Sequence, residues 1–375
     1  MPLDSMEFRT SLQKLLVGLI LILVPLTVLG FYVAMQADSH VRQMNGENFR
    51  SLTLSAAEST SEFMAGCVRD VSIIANTPGS VQAVTVANRQ YDRLSPEAVS
   101  AKIAATDQAW ESQETDRLSV KILTSDLAQQ LRRVRELNPT LLRITVADIT
   151  GATVSATDRP ASYSQTDRES WRVLSSGRRG AIYVSDLRYD DQSRLYYVSI
   201  AYPILQEGTG RFIGGVTAMA DVSPLFAQLN RRQMGRTGRL FLVREDGTVI
   251  EAPGISPSMK MKSEEYGAIR DALGNLRGRE AGYMFTTLAN GRSYLIGFAD
   301  TGLKDAYPNV PWTVLASQET REITGPVRSM IAFALVVMIL ALLILSLLAA
   351  YVFLHRKQEL EDIETPEDKS RLRVA

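Results

Sequence analysis

Histidine occurs twice and cysteine once in 375 residues. His40 and His355 each lie near the end of a long apolar run, not in the middle of a folded domain. That placement excludes His-based acid/base catalysis, Ser-His triads and His-containing metal sites from the domain core. The lone Cys67 rules out an intrachain disulfide and any C-x-x-C pair. It follows Phe63 at helical spacing, as a small buried hydrophobe would, with a disulfide between two copies of the chain as the other reading. Neither a G-x-S-x-G elbow nor a G-x-x-x-x-G-K-[ST] loop occurs. Asp190 with Asp191 and Glu264 with Glu265 are adjacent acids at turns, where such pairs usually serve as solvated caps. No enzyme, metal or cofactor is expected. Net charge is also missing: 41 basic and 41 acidic residues cancel and no basic block stands out, so nucleic acid is not an expected partner.

Two long uncharged runs are present, Leu15 to Met35 and Met330 to Leu354. Each matches the roughly 20 residues that cross a bilayer as helix. The first is longer than the apolar part of a cleaved signal peptide, and no A-x-A site follows it. Arg356, Lys357, Lys369, Arg371 and Arg373 after the second run outnumber Arg321 and Arg328 before it. Basic residues favour the cytoplasmic side, so both termini are expected inside and the large middle part outside an inner (plasma) membrane. The expected division is a cytoplasmic start over 1–14, a first span over 15–35, an extracytoplasmic part over 36–329, a second span over 330–354 and a cytoplasmic tail over 355–375.

From Gln36 to about Asn76 apolar residues recur at helical steps, giving one long helix that continues the first span. "NTPGS" ends it, a short polar segment follows, and Ser95-Pro96 opens further helix that lasts to the break at Asn138. From Leu141 the rhythm becomes that of strands. "LLRITVADITGATVSATD" is then echoed by "GRLFLVREDGTVIEAP", "LYYVSIAYPI" by "SYLIGFAD", and "FIGGVTAMADVSPL" by "WTVLASQETREI". Two copies about 100 residues apart predict an α+β fold of duplicated antiparallel-sheet modules on a long N-terminal helix, not a solenoid.

Between strands, "SYSQTDRESW" gathers Tyr163, Asp167, Arg168 and Trp171. Arg can clamp a carboxylate bidentately, Asp can accept an amine, and aromatic rings can enclose the rest, which suits a small zwitterion. The same stretch also fits an exposed loop capped by Asp167 with Trp171 in the core.

These segments resemble the extracytoplasmic double Cache sensors of bacterial receptors, through "ITVADITGATVSATD", "YSQTDRESW", "YYVSIAYPI", "FIGGVTAMADVSPL" and "GRTGRLFLVREDGTVI". The resemblance implies two PAS-like modules, with 36–140 as long helices, 141–234 as a membrane-distal ligand-binding module and 235–324 as a membrane-proximal one. Residue by residue it implies ligand contacts from Tyr163 and Arg168, Arg168 being the carboxylate clamp. It adds Trp171, Tyr183 and Asp186 in "IYVSD", and Asp221 as the amine-binding acid, while Asp167 fits a variant of the same loop. Ser170 stands where the amino-acid-binding pattern has Trp. Such sensors usually continue into an output domain, whereas "HRKQELEDIETPEDKSRLRVA" is charged and without apolar period. The expectation is a homodimeric sensing subunit with a small-molecule ligand and a separate cytoplasmic or inner-membrane signalling partner. The alternatives are a ligand-free scaffold module and a receptor truncated before its output domain.

Overall fold

In the computed structural model, which describes residues 4–112, 116–176, 181–232, 234–254, 257–274 and 281–364, helix α1 runs unbroken from Asp4 to Ala75. The chain divides into two compact units, one made of Met1–Asn45 with Thr320–Ala375 and the other of Gly46–Glu319. In the first unit, α10 (Thr320–Glu364) contains Thr320–Leu348, the one stretch among the described residues long and apolar enough to cross a membrane. Its large apolar side chains, including Met330, Phe333, Leu340 and Leu347, are exposed. The side chains of much of Leu15–Met35 and the tail from residue 365 lie outside the described residues, and so do the expectations placed on them.

In the second unit, α1 buries Phe49, Ala56, Met64, Cys67, Val71 and Ile74 at helical spacing. Thr53 and Thr60 lie in the same buried stripe, where each hydroxyl donates to the carbonyl four residues back and is thereby satisfied. Burial, followed by the neighbouring Asp70, pushes the Cys67 thiol up to about 12, so this side chain is an inert core group.

The segment after α1 is not a polar loop. Thr77 accepts a hydrogen bond from the Ser80 amide and Pro78 occupies the first turn, so α2 forms over Pro78–Asn88. The helical run that follows is three helices instead of one: α3 (Pro96–Glu111), α4 (Asp116–Thr124) and α5 (Asp126–Leu137). Ser95 caps α3 as its sequence predicts, and Ser125 breaks α4 from α5 by accepting from the Ala128 amide at 3.1 Å.

The first sheet contains β1 (Leu141–Asp148), β2 (Thr153–Ala156), β3 (Tyr183–Val184), β4 (Arg188–Asp190), β5 (Leu195–Leu205) and β6 (Phe212–Asp221), with α6 (Glu169–Ser175) between β2 and β3. Helix α7 (Ser223–Asn230) follows, and then the second sheet: β7 (Arg239–Arg244), β8 (Val249–Glu251), β9 (Ala281–Thr287), β10 (Ser293–Asp300) and β11 (Trp312–Glu319). Helix α8 (Glu264–Gly274) lies between β8 and β9, and α9 (Leu303–Ala306) between β10 and β11. The strand orders are β2-β1-β6-β5-β3, with β4 also on β5, and β8-β7-β11-β10-β9. All pairings are antiparallel and the two orders are the same topology, so the internal repeat read from the sequence is structural. Each copy opens with the same turn: the amides of Gly151 and Gly247 donate to the carbonyls of Asp148 and Arg244, and both glycines take left-handed φ, 84° and 80°.

The second sheet is covered on both faces. Phe241, Val243, Tyr294, Ile296, Phe298 and Leu315 form one core with Tyr266 and Ile269 of α8. On its other face α1 comes so close that a Cβ on Gly297 would stand 2.8 Å from the Phe49 carbonyl oxygen. Beside it Arg50 Nε donates to the Ala281 carbonyl at 2.9 Å. Gly297→Ala should therefore force the helix off the sheet, and thermal unfolding of the purified chain should show a loss of about 1–3 kcal/mol, the usual range for overpacking.

Candidate functional site

Strand β5 has a regular alternation in the middle of the first sheet. Val198 and Ile200 are fully buried, whereas Tyr197 and Ser199 are half-open. Directly paired residues in an antiparallel ladder share a face, so each set extends across the neighbouring strands. The buried set continues through Val216, Ala218 and Ala220 of β6 and Ile144 and Val146 of β1. Helix α2 covers this face so tightly that a Cβ on Gly214 would meet Val84 at 2.8 Å. The half-open set continues through Thr217, Met219 and Asp221 on β6, Arg143 and Thr145 on β1, and Arg188 on β4.

Helix α6 covers only one end of that open face. Trp171 and Leu174 lie over Gly215, and Leu174 packs with Tyr183 and Ala201. In the second module the longer α8 covers the equivalent face, which is apolar at its centre, while at one end Glu265 of α8 accepts from Arg239 and Ser317. The first module thus leaves part of this face half-open, and that part carries hydroxyls, a tyrosine ring, guanidiniums and a carboxylate.

Of the residues singled out in the sequence, three belong to this face. Tyr183 is buried, and its hydroxyl donates to Glu169 Oε2 at 2.9 Å; burial and then Glu169 push that hydroxyl up to about 12, opposed by Arg188. Asp221 pairs with Tyr197 across the ladder, and its Oδ1 accepts from the amide and hydroxyl of Ser223 at 2.8 and 2.6 Å. Arg168 is the residue before α6, and its side chain forms no ion pair or hydrogen bond among the described residues. It keeps solvent access, yet enough protein surrounds it that desolvation lowers its pKa, with Tyr197 opposing and Arg188 reinforcing the shift.

The other four are placed elsewhere. Trp171 is buried against the Phe212 ring at 5.7 Å, so it is core, as the loop reading of this stretch allowed. Tyr163 packs on the Trp110 ring at 5.9 Å and lines a cavity of about 630 Å³ with Leu118, Ile122, Asp148 and Val154. Burial, then Asp148 and Asp107, push its hydroxyl up to about 12. Asp167 is exposed on a separate cavity of about 570 Å³ beside Tyr91, Asp107 and Ser164. Asp186, expected on the ligand, instead ties the two modules together. Its Oδ1 accepts from the Leu187 amide at 2.7 Å and from Trp312 Nε1 at 3.1 Å. Its Oδ2 lies 2.6 Å from Arg244 Nε, a charge contact whose angle is not that of a hydrogen bond. The physical reason is that Asp186 follows the two-residue β3 out of the ladder, where the chain turns toward Trp312 and Asn309, whose Nδ2 donates to the Val184 carbonyl.

Sequence reasoning missed Arg143, Glu169, Arg188, Tyr197 and Ser199. The signal for Tyr197 and Ser199 was present in "LYYVSIAYPI", where polar side chains recur at every second residue of a strand whose other face is apolar. Arg143 carries no such mark; it is held by Asp190 Oδ2 at 2.8 Å and Gln192 Oε1 at 2.7 Å, contacts that only the folded hairpin creates.

The dCache_1 family model, a Cache domain, matches residues 39–327. No curated protein matches the chain. Among solved structures, the sensory domain of the Campylobacter jejuni chemoreceptor Tlp3 (CcmL) is similar, with TM-score 0.50 and 11% identity over 76% of this chain and 98% of that one. The ligand-binding domain of the same receptor in complex with L-norvaline gives TM-score 0.50 and 12% identity over 76% and 94%. The ligand-binding domain of the Pseudomonas aeruginosa PAO1 amino acid chemoreceptor PctC in complex with GABA gives TM-score 0.44 and 14% identity over 71% and 96%. At such identities a likeness speaks to fold alone. The match of the family model is to most of the chain and agrees with the duplicated sheets, so this chain belongs to the dCache family of Cache domains.

Proposed function

We propose that this protein is a membrane-anchored sensor subunit that binds a small extracytoplasmic ligand bearing a carboxylate on the half-open face of its first sheet module. The ligand is an amino acid, an amine-bearing acid or a simple carboxylate. The protein acts as a homodimer and passes the bound state to a separate partner protein. The carrying observation is the half-open polar face beside Arg168, whose side chain forms no ion pair or hydrogen bond among the described residues. Family membership supports a sensing role, and the exposed apolar side chains of α10 support anchoring in a bilayer. An interaction scaffold without a ligand has no need of such an unfilled face. Arg168 supplies a planar fork for a carboxylate, Asp221 keeps Oδ2 for an ammonium, and the Tyr197 ring with the Ser199 and Thr217 hydroxyls lines the space between. Binding shifts the protein only as far as the ligand prefers one arrangement of the module over another.

Arg168→Ala should leave the melting temperature of the ligand-free chain within about a degree, since an exposed and unpaired side chain contributes little to stability. It should also weaken a carboxylate ligand by about 10- to 150-fold, the worth of hydrogen bonds to a charged group. A thermal-shift screen of the detergent-solubilised chain against amino acids, amines and carboxylates, repeated on the variant, measures both, and unchanged affinity would remove Arg168 from the site. For Asp221, asparagine is the informative substitution, because its carbonyl can keep the contacts with Ser223 while the charge is lost. Asp221→Asn should weaken ligands that carry an amine and spare those that do not; an equal loss for both, read by calorimetry, would contradict an amine-binding role.

A further inference from the structure

The two sheets differ at one edge in a way that their covering helices do not explain. Strand β9, at the far edge of the second sheet, stays in its ladder for seven residues. Its counterpart β3 ends at Val184, and the chain rejoins β5 only at Arg188, as β4. The detour between them reaches the other module. Asn309 Nδ2 donates to the Val184 carbonyl at 3.4 Å, and the Asp186 carboxylate meets Trp312 Nε1 and Arg244 Nε, one oxygen to each. Arg244 and Trp312 are directly paired across β7 and β11, so one carboxylate from the first module bridges two strands of the second.

The receiving end is sensitive to the loss of that carboxylate. Trp312 is fully buried, and its indole N–H has no other acceptor among the described residues. A buried donor left unpaired costs its full desolvation penalty. Trp312 also fastens the segment before it: its carbonyl accepts from the Thr301 hydroxyl at 2.7 Å, and its amide donates to the Val310 carbonyl at 2.9 Å. From Trp312 the chain runs through β11 directly into α10. The sending end is the edge of the first sheet. Tyr183 is held by Glu169 of α6, and Ser185 by the amide and carbonyl of Ser199. Residues 183–186 are consecutive, with Cα atoms about 3.8 Å apart across planar peptides, so none of them leaves the sheet without displacing the next. We propose that Asp186 is a latch between the modules: when the edge of the first sheet opens at β3, Asp186 is drawn off Trp312 and Arg244, and 302–312 opens with it while β9 stays closed. Such a latch operates whatever the first module binds.

Hydrogen exchange read by mass spectrometry on the full chain in detergent tests it. Tyr183→Phe removes the bond to Glu169 and keeps the ring in its core with Leu174 and Ala201. It is expected to speed exchange by about 10-fold, the worth of a hydrogen bond to a charged group, both in 183–187 and in 302–312, and to leave β9 unchanged. Added to a chain that already carries Asp186→Ala, the same substitution should still speed 183–187 but no longer move 302–312, since distant sites without a shared partner act independently. If Asp186→Ala does not fold, the contrast between 302–312 and β9 in Tyr183→Phe decides alone. The latch is overturned if Tyr183→Phe leaves 302–312 unchanged, if β9 quickens as much as 302–312, or if 302–312 responds equally with and without Asp186.

Discussion

Everything that distinguishes this molecule's two sheets follows from what covers the face of each sheet opposite its buried helical layer. An antiparallel sheet can leave one face to water, but an apolar face must be covered. In the second module the centre of the face is apolar and α8 covers it with Tyr266 and Ile269, while Glu265 meets Arg239 and Ser317 at one end. In the first module α6 is only seven residues long, and beyond Trp171 and Leu174 it has nothing to lay on the strands. The uncovered positions carry Arg143, Thr145, Tyr197, Ser199, Thr217 and Asp221, which tolerate water. Duplication with unequal covering thus leaves the central strands of the first sheet half-open on a face that its duplicate covers with a longer helix.

The cost of leaving a face open is met by the other face. Val198, Ile200, Val216, Ala218, Ala220, Ile144 and Val146 are all fully buried, a continuous apolar layer beneath the half-open face. Burying a Val or Ile side chain stabilises by about 1.5–3 kcal/mol before conformational entropy is counted, and this layer concentrates that gain on the three central strands. The half-open face therefore rests on a continuous apolar layer and does not need its polar side chains to pack among themselves.

Much of the scaffold was legible in the sequence because it depends on local periodicity. The long helix, the strands from Leu141 onward and the repeat are visible as spacing, and the topology of the two sheets agrees with them. The helix breaks were harder: Thr77 and Ser125 act through single capping hydrogen bonds that look like any other hydroxyl in the sequence. The site was legible only in part. Arg168, Tyr183 and Asp221 reach one face, but motif spacing cannot report which way a chain turns after a two-residue strand. Asp186 accordingly went to Trp312 and Arg244 of the other module, and Trp171 went to the core. Arg188 and Tyr197 were invisible for the opposite reason, since their nearness to Arg168 is a property of register across strands far apart in sequence.

Strand β3 carries this asymmetry to its limit. With two residues in the ladder it has little main-chain bonding of its own, and side chains hold it on either side. The Tyr183 hydroxyl is bound to Glu169 at the head of α6, the Val184 carbonyl receives Asn309, and Asp186 receives the indole of the fully buried Trp312. The edge of the half-open face and the contact between modules are therefore the same short segment. A side chain that moved Tyr183 would have to carry Val184 and Asp186 with it or break their bonds, because successive residues of an extended chain cannot shift independently over so short a length. Segments with few ladder bonds open at lower free energy than the strands around them, so β3 depends on these side-chain anchors to stay in the sheet.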